Sequence, residues 1–190
     1  LGEMLKPYQR PHPPIAMSIV REKSMAAKTG GERGFIPISI NLAPSHKVKT
    51  QWDTYSEGAT GAGHSADRSN WRISRSIYVG ESDDAARSHA LNSAFADSLV
   101  YLKGMLSLAG MQDLMKEDVD MPDDAVDAEY LIDNIAIVGS VDTVTTKLHK
   151  LYEQTGGFGN LLMIAHDWDD RDKMRQSMKL MAEDVVPQLP

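Results

Sequence analysis

The chain has 190 residues, enough for one domain with a substantial hydrophobic core. Its formal net charge of −7 argues against nucleic-acid binding, which needs a basic face. No stretch approaches the roughly 20 consecutive apolar residues of a membrane helix. The absence of cysteine excludes disulfides, thiolate metal ligands and cysteine nucleophiles, and it fits a cytoplasmic location.

The beginning of the chain predicts an extended connector, then a strand, then a helix. Residues 1–14 are rich in proline and start with Leu1, so we expect the chain to be the later part of a longer protein. The apolar run 15–20 predicts a buried strand. Ser24 is a candidate N-cap for a helix that runs to Arg33, and Gly30, Gly31 and Gly34 weaken this helix and mark its end.

A second strand and helix follow directly. Residues 35–41 predict a strand with Pro37 near its beginning, because proline cannot donate to a central ladder. Ser45 is a candidate cap for the next helix. One face of that helix is expected to carry Val48, Trp52 and Tyr55.

The middle of the chain predicts a third strand and one long helix. Alternation over 71–79 places Arg75 on the apolar face of its strand, where we expect it to pair with a carboxylate. Ser82 should cap a helix with an apolar period through Leu106, and Gly110 either closes it or begins a second piece that ends near Met115. The acidic stretch 116–129 predicts a solvated loop or interface segment without functional meaning.

The last third predicts a helix, a strand and a final helix. Ser140 should cap the first helix and Gly156 should end it. Residues 161–165 predict a buried strand, and Pro187 stops the last helix. This alternation favours parallel strands joined by helical crossovers. Four strands fit either a small open sheet or half of an eight-stranded barrel of about 250 residues.

Several stretches, in order, carry a resemblance to a known family. The chain resembles the luciferase-like flavin-dependent monooxygenases, the group of bacterial luciferase and limonene monooxygenase. The stretches are 7–16, 31–41, 137–144, 156–162, 166–168 and 183–187. The resemblance implies an α/β fold in which residues 1–190 form a single unit, the C-terminal half (strands five to eight) of a TIM (β/α)8 barrel. It also implies that the catalytic histidine lies in the other half, so the catalytic residues in this chain are unknown.

The candidate binding residues follow from the rule that TIM-barrel sites lie at the C-terminal ends of the strands. A polar turn that enters a helix can offer backbone N–H groups to a phosphate. The resemblance implies that the turn after the first strand binds the FMN phosphate, together with the polar end of the second strand. The residues are Arg21, Glu22, Lys23, Ser24, Ser39 and Asn41. The alternative is an ordinary capped helix, because relatives more often carry small polar residues here and Glu22 would need neutralising.

Two histidines are further candidates for the pocket. His166 follows the last strand and could line a substrate pocket, although such a histidine is more often a hydrogen-bonding spacer. His46, at a helix start, is a weaker candidate. Asp169 and Asp170, near His166, could suggest a metal, but carboxylates before a helix are usually caps, so we predict no metal site.

The function that the resemblance implies is monooxygenation of an aldehyde, ketone or alkene with O2 and reduced FMN. The expected partners are the N-terminal half of the same barrel, a separate flavin reductase, a small-molecule substrate and further copies in a homo-oligomer such as a dimer. Two alternatives remain open. One is a non-catalytic flavoprotein or interaction module of the same fold, and the other is a deazaflavin-dependent oxidoreductase.

Overall fold

Five parallel strands form one sheet in the computed structural model, which describes residues 6–165 and 169–190. The strands are β1 Ala16–Ile19, β2 Ile36–Ser39, β3 Arg72–Val79, β4 Ile137–Gly139 and β5 Asn160–Ile164. The helices are α1 Met25–Glu32, α2 Ser45–Gly61, α3 Asp83–Leu91, α4 Ala94–Leu108, α5 Ala128–Tyr130, α6 Val141–Thr155 and α7 Arg171–Leu180. Helical turns continue α5 over Leu131–Ile135 and α7 over Met181–Val185 and Val186–Gln188.

Strand β3 pairs with three other strands. Its pairing with β2 begins at Ile38 of β2 and Arg72 of β3. Its first five residues pair with β5, and its last three pair with β4. The sequence predicted four strands, and the structure corrects this number because it adds β4. This strand has three residues and ends at Gly139, so its apolar run is too short to show the alternation of a strand.

Pro37 lies near the beginning of β2, as predicted. The amides of Ile36 and Ile40 donate to the carbonyls of Ile15 and Ile19 beside β1. Pro37 is one residue out of phase, so its nitrogen faces β3, where pairing begins only at Ile38. The missing donor therefore interrupts no hydrogen bond of the sheet.

Serine caps begin most of the long helices. The hydroxyls of Ser24, Ser82 and Ser140 accept from first-turn amides of α1, α3 and α6, which confirms those predictions. The prediction for Ser45 was wrong: Pro44 is the N-cap of α2 and offers no side-chain cap. No helix in the described ranges is both long enough and apolar enough to cross a membrane.

The single helix predicted from Ser82 to Leu106 is interrupted, which corrects the prediction. Helix α3 ends before Asn92, and the Ser93 hydroxyl caps α4 by accepting from the Phe95 amide at 3.3 Å. Short polar side chains compete with the helix for backbone groups. Apolar residues keep their helical spacing across the break between α3 and α4, so this spacing alone did not reveal the break.

The two faces of the sheet differ in burial. On one face, Ile73 and Ile77 of β3, with Trp71 just before the strand, are fully buried in a core with residues of α2 and α6. On the opposite face, Ala16 and Ser18 of β1 are exposed, as is Leu162 of β5. In a TIM barrel the helices cover the outer face of the strands, and the uncovered face is the one that lines the interior.

Residues 80–136 form an excursion between β3 and β4 with a core of its own. Phe95, Leu99, Met115 and Leu131 are fully buried there, and they pack beside the end of β3 through Tyr78. This second core explains why a long, partly acidic segment keeps a defined position at the carboxyl ends of the strands.

Close packing of α1 on α2 depends on two glycines. A Cβ at Gly31 would overlap the Tyr55 carbonyl, and a Cβ at Gly58 would overlap the Lys28 carbonyl. Both obstacles are backbone atoms, which cannot rotate away. We expected glycine to weaken α1, and the structure adds that glycine is what allows the helix contact.

The first prediction concerns this contact. We expect Gly31→Ala to lower the free energy of unfolding by about 1–3 kcal/mol, because the two helices must separate. Chemical denaturation measures the change. The matched control is Gly104→Ala in α4, where a Cβ meets no atom within 4 Å. There alanine should raise the free energy of unfolding by roughly 0.5–1 kcal/mol. Equal effects of the two substitutions would contradict the packing argument.

Asp83 ties the start of α3 to the start of α6. Its carboxylate accepts from the Ser140 amide at 2.7 Å and from the Thr143 hydroxyl at 2.9 Å. These bonds, first of all the one from the Ser140 amide, hold the pKa of Asp83 below its usual range. The ionised side chain therefore joins the excursion to the helix that follows β4.

The second prediction follows from the sign of this shift. Because the pKa of Asp83 is lower in the folded state, its ionised carboxylate stabilises the fold at any pH above the unfolded pKa of about 3.9. This stabilisation is lost as the pH falls through the folded pKa. At pH 7 we expect Asp83→Asn to cost about 0.5–1 kcal/mol, since the site is exposed and screened. The difference from the original protein should shrink below about pH 4.

Denaturation at a series of pH values measures this difference. Asp84→Asn is the control, since Asp84 shares the first turn of α3 but holds no bond to α6 in the described structure. A cost that stays constant down to pH 2 would show that the charge of Asp83 is not what stabilises the contact.

Candidate functional site

The predicted phosphate-binding turn joins β1 to α1 at the carboxyl edge of the sheet. It consists of Arg21, Glu22, Lys23 and Ser24. Lys23 has a φ of 46°, a left-handed conformation that is uncommon outside glycine, and its amide donates to the Thr50 hydroxyl at 3.3 Å. The Ser24 hydroxyl accepts from the Ala26 amide at 3.1 Å. Helix α2 and the cap together fix the shape of the turn.

The cationic side chains of this turn are not neutralised by neighbours. Arg21 and Lys23 are exposed. In residues 6–165 and 169–190, neither side chain has an acidic group within ion-pair distance. Glu22 between them leaves the turn with a net positive charge, next to the positive end of the α1 dipole.

Ser39 and Asn41 lie at the end of β2, and both are buried. The Ser39 hydroxyl accepts from the Trp71 indole nitrogen at 3.0 Å. The Asn41 side-chain amide donates to the Ser76 hydroxyl at 2.9 Å. These bonds join β2 to β3, and neither side chain reaches the cleft beside the turn. Their role toward a phosphate stays a prediction.

A cleft of about 600 Å³ opens beside the turn. Arg21 and Glu22 line one side, and His46 and Lys47 at the start of α2 line another. Residues from 110–119 in the excursion form the remaining wall. The structure thus brings part of the predicted turn together with the weaker candidate His46, whereas Lys23 and Ser24 stay outside the lining.

The wall from the excursion is fastened at several points. The Lys47 ammonium donates to the Asp113 carbonyl. His46 Nδ1 lies 3.2 Å from a carboxylate oxygen of Glu117. The Tyr130 hydroxyl donates to the Met115 carbonyl at 3.1 Å and accepts from the Glu117 amide at 2.9 Å.

The sequence did not single out this wall as part of a cleft. We gave the stretch 116–129 no functional meaning, yet Glu117 and its two successors line the cleft. Lys47 was not singled out either. The one local signal was a pair of basic residues, His46 and Lys47, at the start of a helix.

The region around His166 is only partly described. His166 lies outside the described residues, so its role in the pocket stays a prediction. Asp169 accepts from the Ala94 amide at 2.9 Å, and Asp170 caps α7 by accepting from the Lys173 amide at 3.0 Å. Over the described ranges, no three histidine or acidic side chains are grouped to hold a metal.

Arg75 corrects another prediction. It is only 3 % exposed and donates to the carbonyls of Ile40, Ala43 and Ser74. The carboxylate partner that we expected is absent from the described part of the chain. The odd-numbered face of β3 points toward the helices, so Arg75 lies in the outer layer and not in the barrel interior.

Comparison with known proteins gives a consistent result. Residues 2–158 match the family model described as luciferase-like monooxygenase. The chain is 34% identical over 185 residues to 3,6-diketocamphane 1,6-monooxygenase of Pseudomonas putida, covering 96% of this chain and 49% of that protein. It is 27% identical over 163 residues to limonene 1,2-monooxygenase of Rhodococcus erythropolis, covering 84% of this chain and 40% of that protein.

Structural comparison leads to the same family. The oxygenating constituent of 3,6-diketocamphane monooxygenase from Pseudomonas putida, a type II Baeyer-Villiger monooxygenase solved with FMN, matches with a TM-score of 0.85 and 34% identity. The match covers 94% of this chain and 50% of that chain. The chain therefore spans about half the length of the relatives that it matches, and its fold is half of a luciferase-type barrel. The chain belongs to the luciferase-like monooxygenase family.

Proposed function

We propose that this chain is the flavin-phosphate-binding part of an FMN-dependent monooxygenase. The complete enzyme takes reduced FMN from a separate reductase and uses O2 to oxidise a small organic substrate. Names of relatives include a diketocamphane and limonene, so we propose a ketone or alkene of monoterpene size as the substrate class. The proposal includes a second half-barrel that completes the site, and a homo-oligomeric enzyme, such as a dimer, in the cytoplasm.

The observation that carries this proposal is the charged turn beside the cleft. Arg21 and Lys23 are cations without acidic partners in the described residues, at the N-terminus of α1. Phosphate binds well where a helix N-terminus and basic side chains meet. A cleft of about 600 Å³ next to them is within the size range of small-molecule and cofactor pockets.

The residues present fit the phosphate end of the flavin. Arg21 lines the cleft and would bind phosphate oxygens, with Lys23 and Ser24 beside it in the turn. Reduced FMN supplies the electrons for O2 activation and substrate oxygenation. The chain's own contribution is to hold the phosphate and orient the cofactor. Residues of 110–119 form one wall of the cleft, and we propose that they limit the access of water to the cofactor.

The third prediction tests the phosphate contact directly. In the full enzyme, we expect Arg21→Gln to weaken FMN binding roughly tenfold, because one charge-assisted hydrogen bond to a phosphate is lost. Lys23→Gln should act in the same direction. Riboflavin has no phosphate, so its affinity should not change. Fluorescence titration with each flavin measures both affinities.

The matched control is Arg33→Gln at the opposite end of α1. It removes the same charge from the same helix but lies far from the turn along the chain, at the C-cap. An equal loss of FMN and riboflavin affinity in Arg21→Gln would mean that the turn does not bind the phosphate.

The fourth prediction concerns turnover. With reduced FMN, O2 and a diketocamphane or limonene, the 190-residue chain alone should give no product, and adding the complementary half-barrel should restore oxidation. Product analysis and oxygen consumption measure the two arms. Efficient oxidation by the chain alone would refute its role as a partial module. Flavin binding without oxidation in the completed barrel would favour a non-catalytic flavoprotein.

A further inference from the structure

A second, smaller cavity lies between β3, α6 and the start of α2. Its volume is about 210 Å³. Arg75 lies at its wall, with Ala43 and Ser45 on the α2 side and Lys147 and Lys150 on α6. The cavity is in the helix-facing layer of the sheet, whereas the turn of Arg21 to Ser24 is not part of its lining.

Arg75 brings to this cavity a positive charge that is hydrogen-bonded to carbonyls and has no carboxylate partner in the described residues. Its side chain is almost fully buried, and within the described residues its hydrogen bonds go to the neutral carbonyls of Ile40, Ala43 and Ser74. Burial lowers the pKa of Arg75 to about 10, so the guanidinium is still charged at neutral pH. A buried charge is costly unless an opposite charge or several hydrogen bonds compensate it.

Two lysines of α6 add to this charge. Lys147 is partly buried, and its ammonium donates to the Val138 carbonyl at 3.1 Å. Desolvation by burial lowers the pKa of Lys147. Neither Lys147 nor Lys150 has a carboxylate within 4 Å in the part of the chain that the structure describes.

The acidic groups at the cavity are bonded elsewhere. Asp133 accepts from the Arg87 guanidinium through both carboxylate oxygens, each at 2.8 Å. Glu117 pairs with His46 at 3.2 Å. Neither carboxylate makes an ion pair with Arg75 in the described residues, and Asp133 also interacts electrostatically with Lys147.

The start of α2 contributes backbone donors. Pro44 offers no side-chain cap, and its carbonyl accepts from Lys47 and Val48. The described structure gives no acceptor for the amides of Ser45 and His46. Such free amides, at the positive end of a helix of 17 residues, favour an anion.

We propose that this cavity binds a small inorganic oxyanion, phosphate or sulfate. Arg75 offers its charge and its remaining N–H groups, Lys147 and Lys150 offer ammonium groups, and Ser45 at the uncapped start of α2 offers a backbone N–H. The volume suits a small oxyanion with water, since pockets for drug-sized ligands start at about 300 Å³. The site is distinct from the turn of Arg21 to Ser24 and does not depend on flavin binding.

The bound anion has a structural consequence. Arg75 holds the carbonyls just before α2, and the cavity joins that segment to α6. Anion binding compensates the buried charge only in the folded state. It should therefore stabilise the protein by mass action.

The experiment titrates the protein with sodium sulfate or sodium phosphate at pH 7. Sodium chloride at the same ionic strength is the control titrant. Calorimetry and thermal unfolding are the readouts. We expect saturable binding of one sulfate per chain and a Tm that rises with sulfate but not with chloride. Lys147→Gln should weaken sulfate binding roughly tenfold. Arg75→Lys should also weaken it, because the guanidinium fork is lost.

The control is Lys179→Gln on α7, an exposed lysine that pairs with Glu183 and lies outside the cavity. It should leave sulfate affinity unchanged. If Arg75→Lys does not fold, Lys150→Gln takes its place, with a similar loss expected. Absence of saturable sulfate binding, or an affinity unaffected by Lys147→Gln, would overturn the proposal.

A competition arm separates this proposal from the flavin proposal. FMN and riboflavin should both leave sulfate affinity unchanged. Displacement of sulfate by FMN but not by riboflavin, together with loss of sulfate binding in Arg21→Gln, would mean that sulfate binds at the turn, and this would refute a separate anion site. Arg21→Gln should not affect sulfate binding, so failure of one proposal is distinguishable from failure of the other.

Discussion

The parallel pairing of β3 with three other strands is the interaction on which the rest of this structure depends. Because β2, β4 and β5 all run parallel to β3, their carboxyl ends lie on the same side of the sheet. That common direction places the turn after β1, the start of α2 and the excursion next to one another. Strand β3 lies between paired strands, and seven of its eight residues are buried, including two serines and an arginine.

Sequence patterns predicted the local features well and the non-local ones poorly. The caps at Ser24, Ser82 and Ser140 depend on residues within one helical turn, so the sequence shows them directly. The break at Ser93 and the three-residue strand β4 were missed, since packing and pairing decide both. The cleft wall was missed for the same reason: the contact between Lys47 and Asp113 joins residues far apart in the chain.

Two cationic regions lie near the carboxyl edge of the sheet, and they differ in construction. The turn with Arg21 and Lys23 has a fixed backbone and exposed side chains, which suits a cofactor that enters and leaves. Arg75 is buried and held by three carbonyls, which suits a ligand that is part of the folded structure. Glu117 lines both the cleft and the cavity, so the excursion contacts the two regions at once.

The unpaired edge of β1 affects how such a half-barrel behaves in solution. Within the described residues, β1 pairs only with β2, so its other side presents free N–H and C=O groups. A short strand with small residues such as Ala16 and Ser18 on its open face is a template for another strand. Its four-residue length limits wrong pairing, while a parallel strand from a matching half-barrel would extend the ladder. Unwanted strands can therefore pair with this edge, and a matching half-barrel would pair with the same edge.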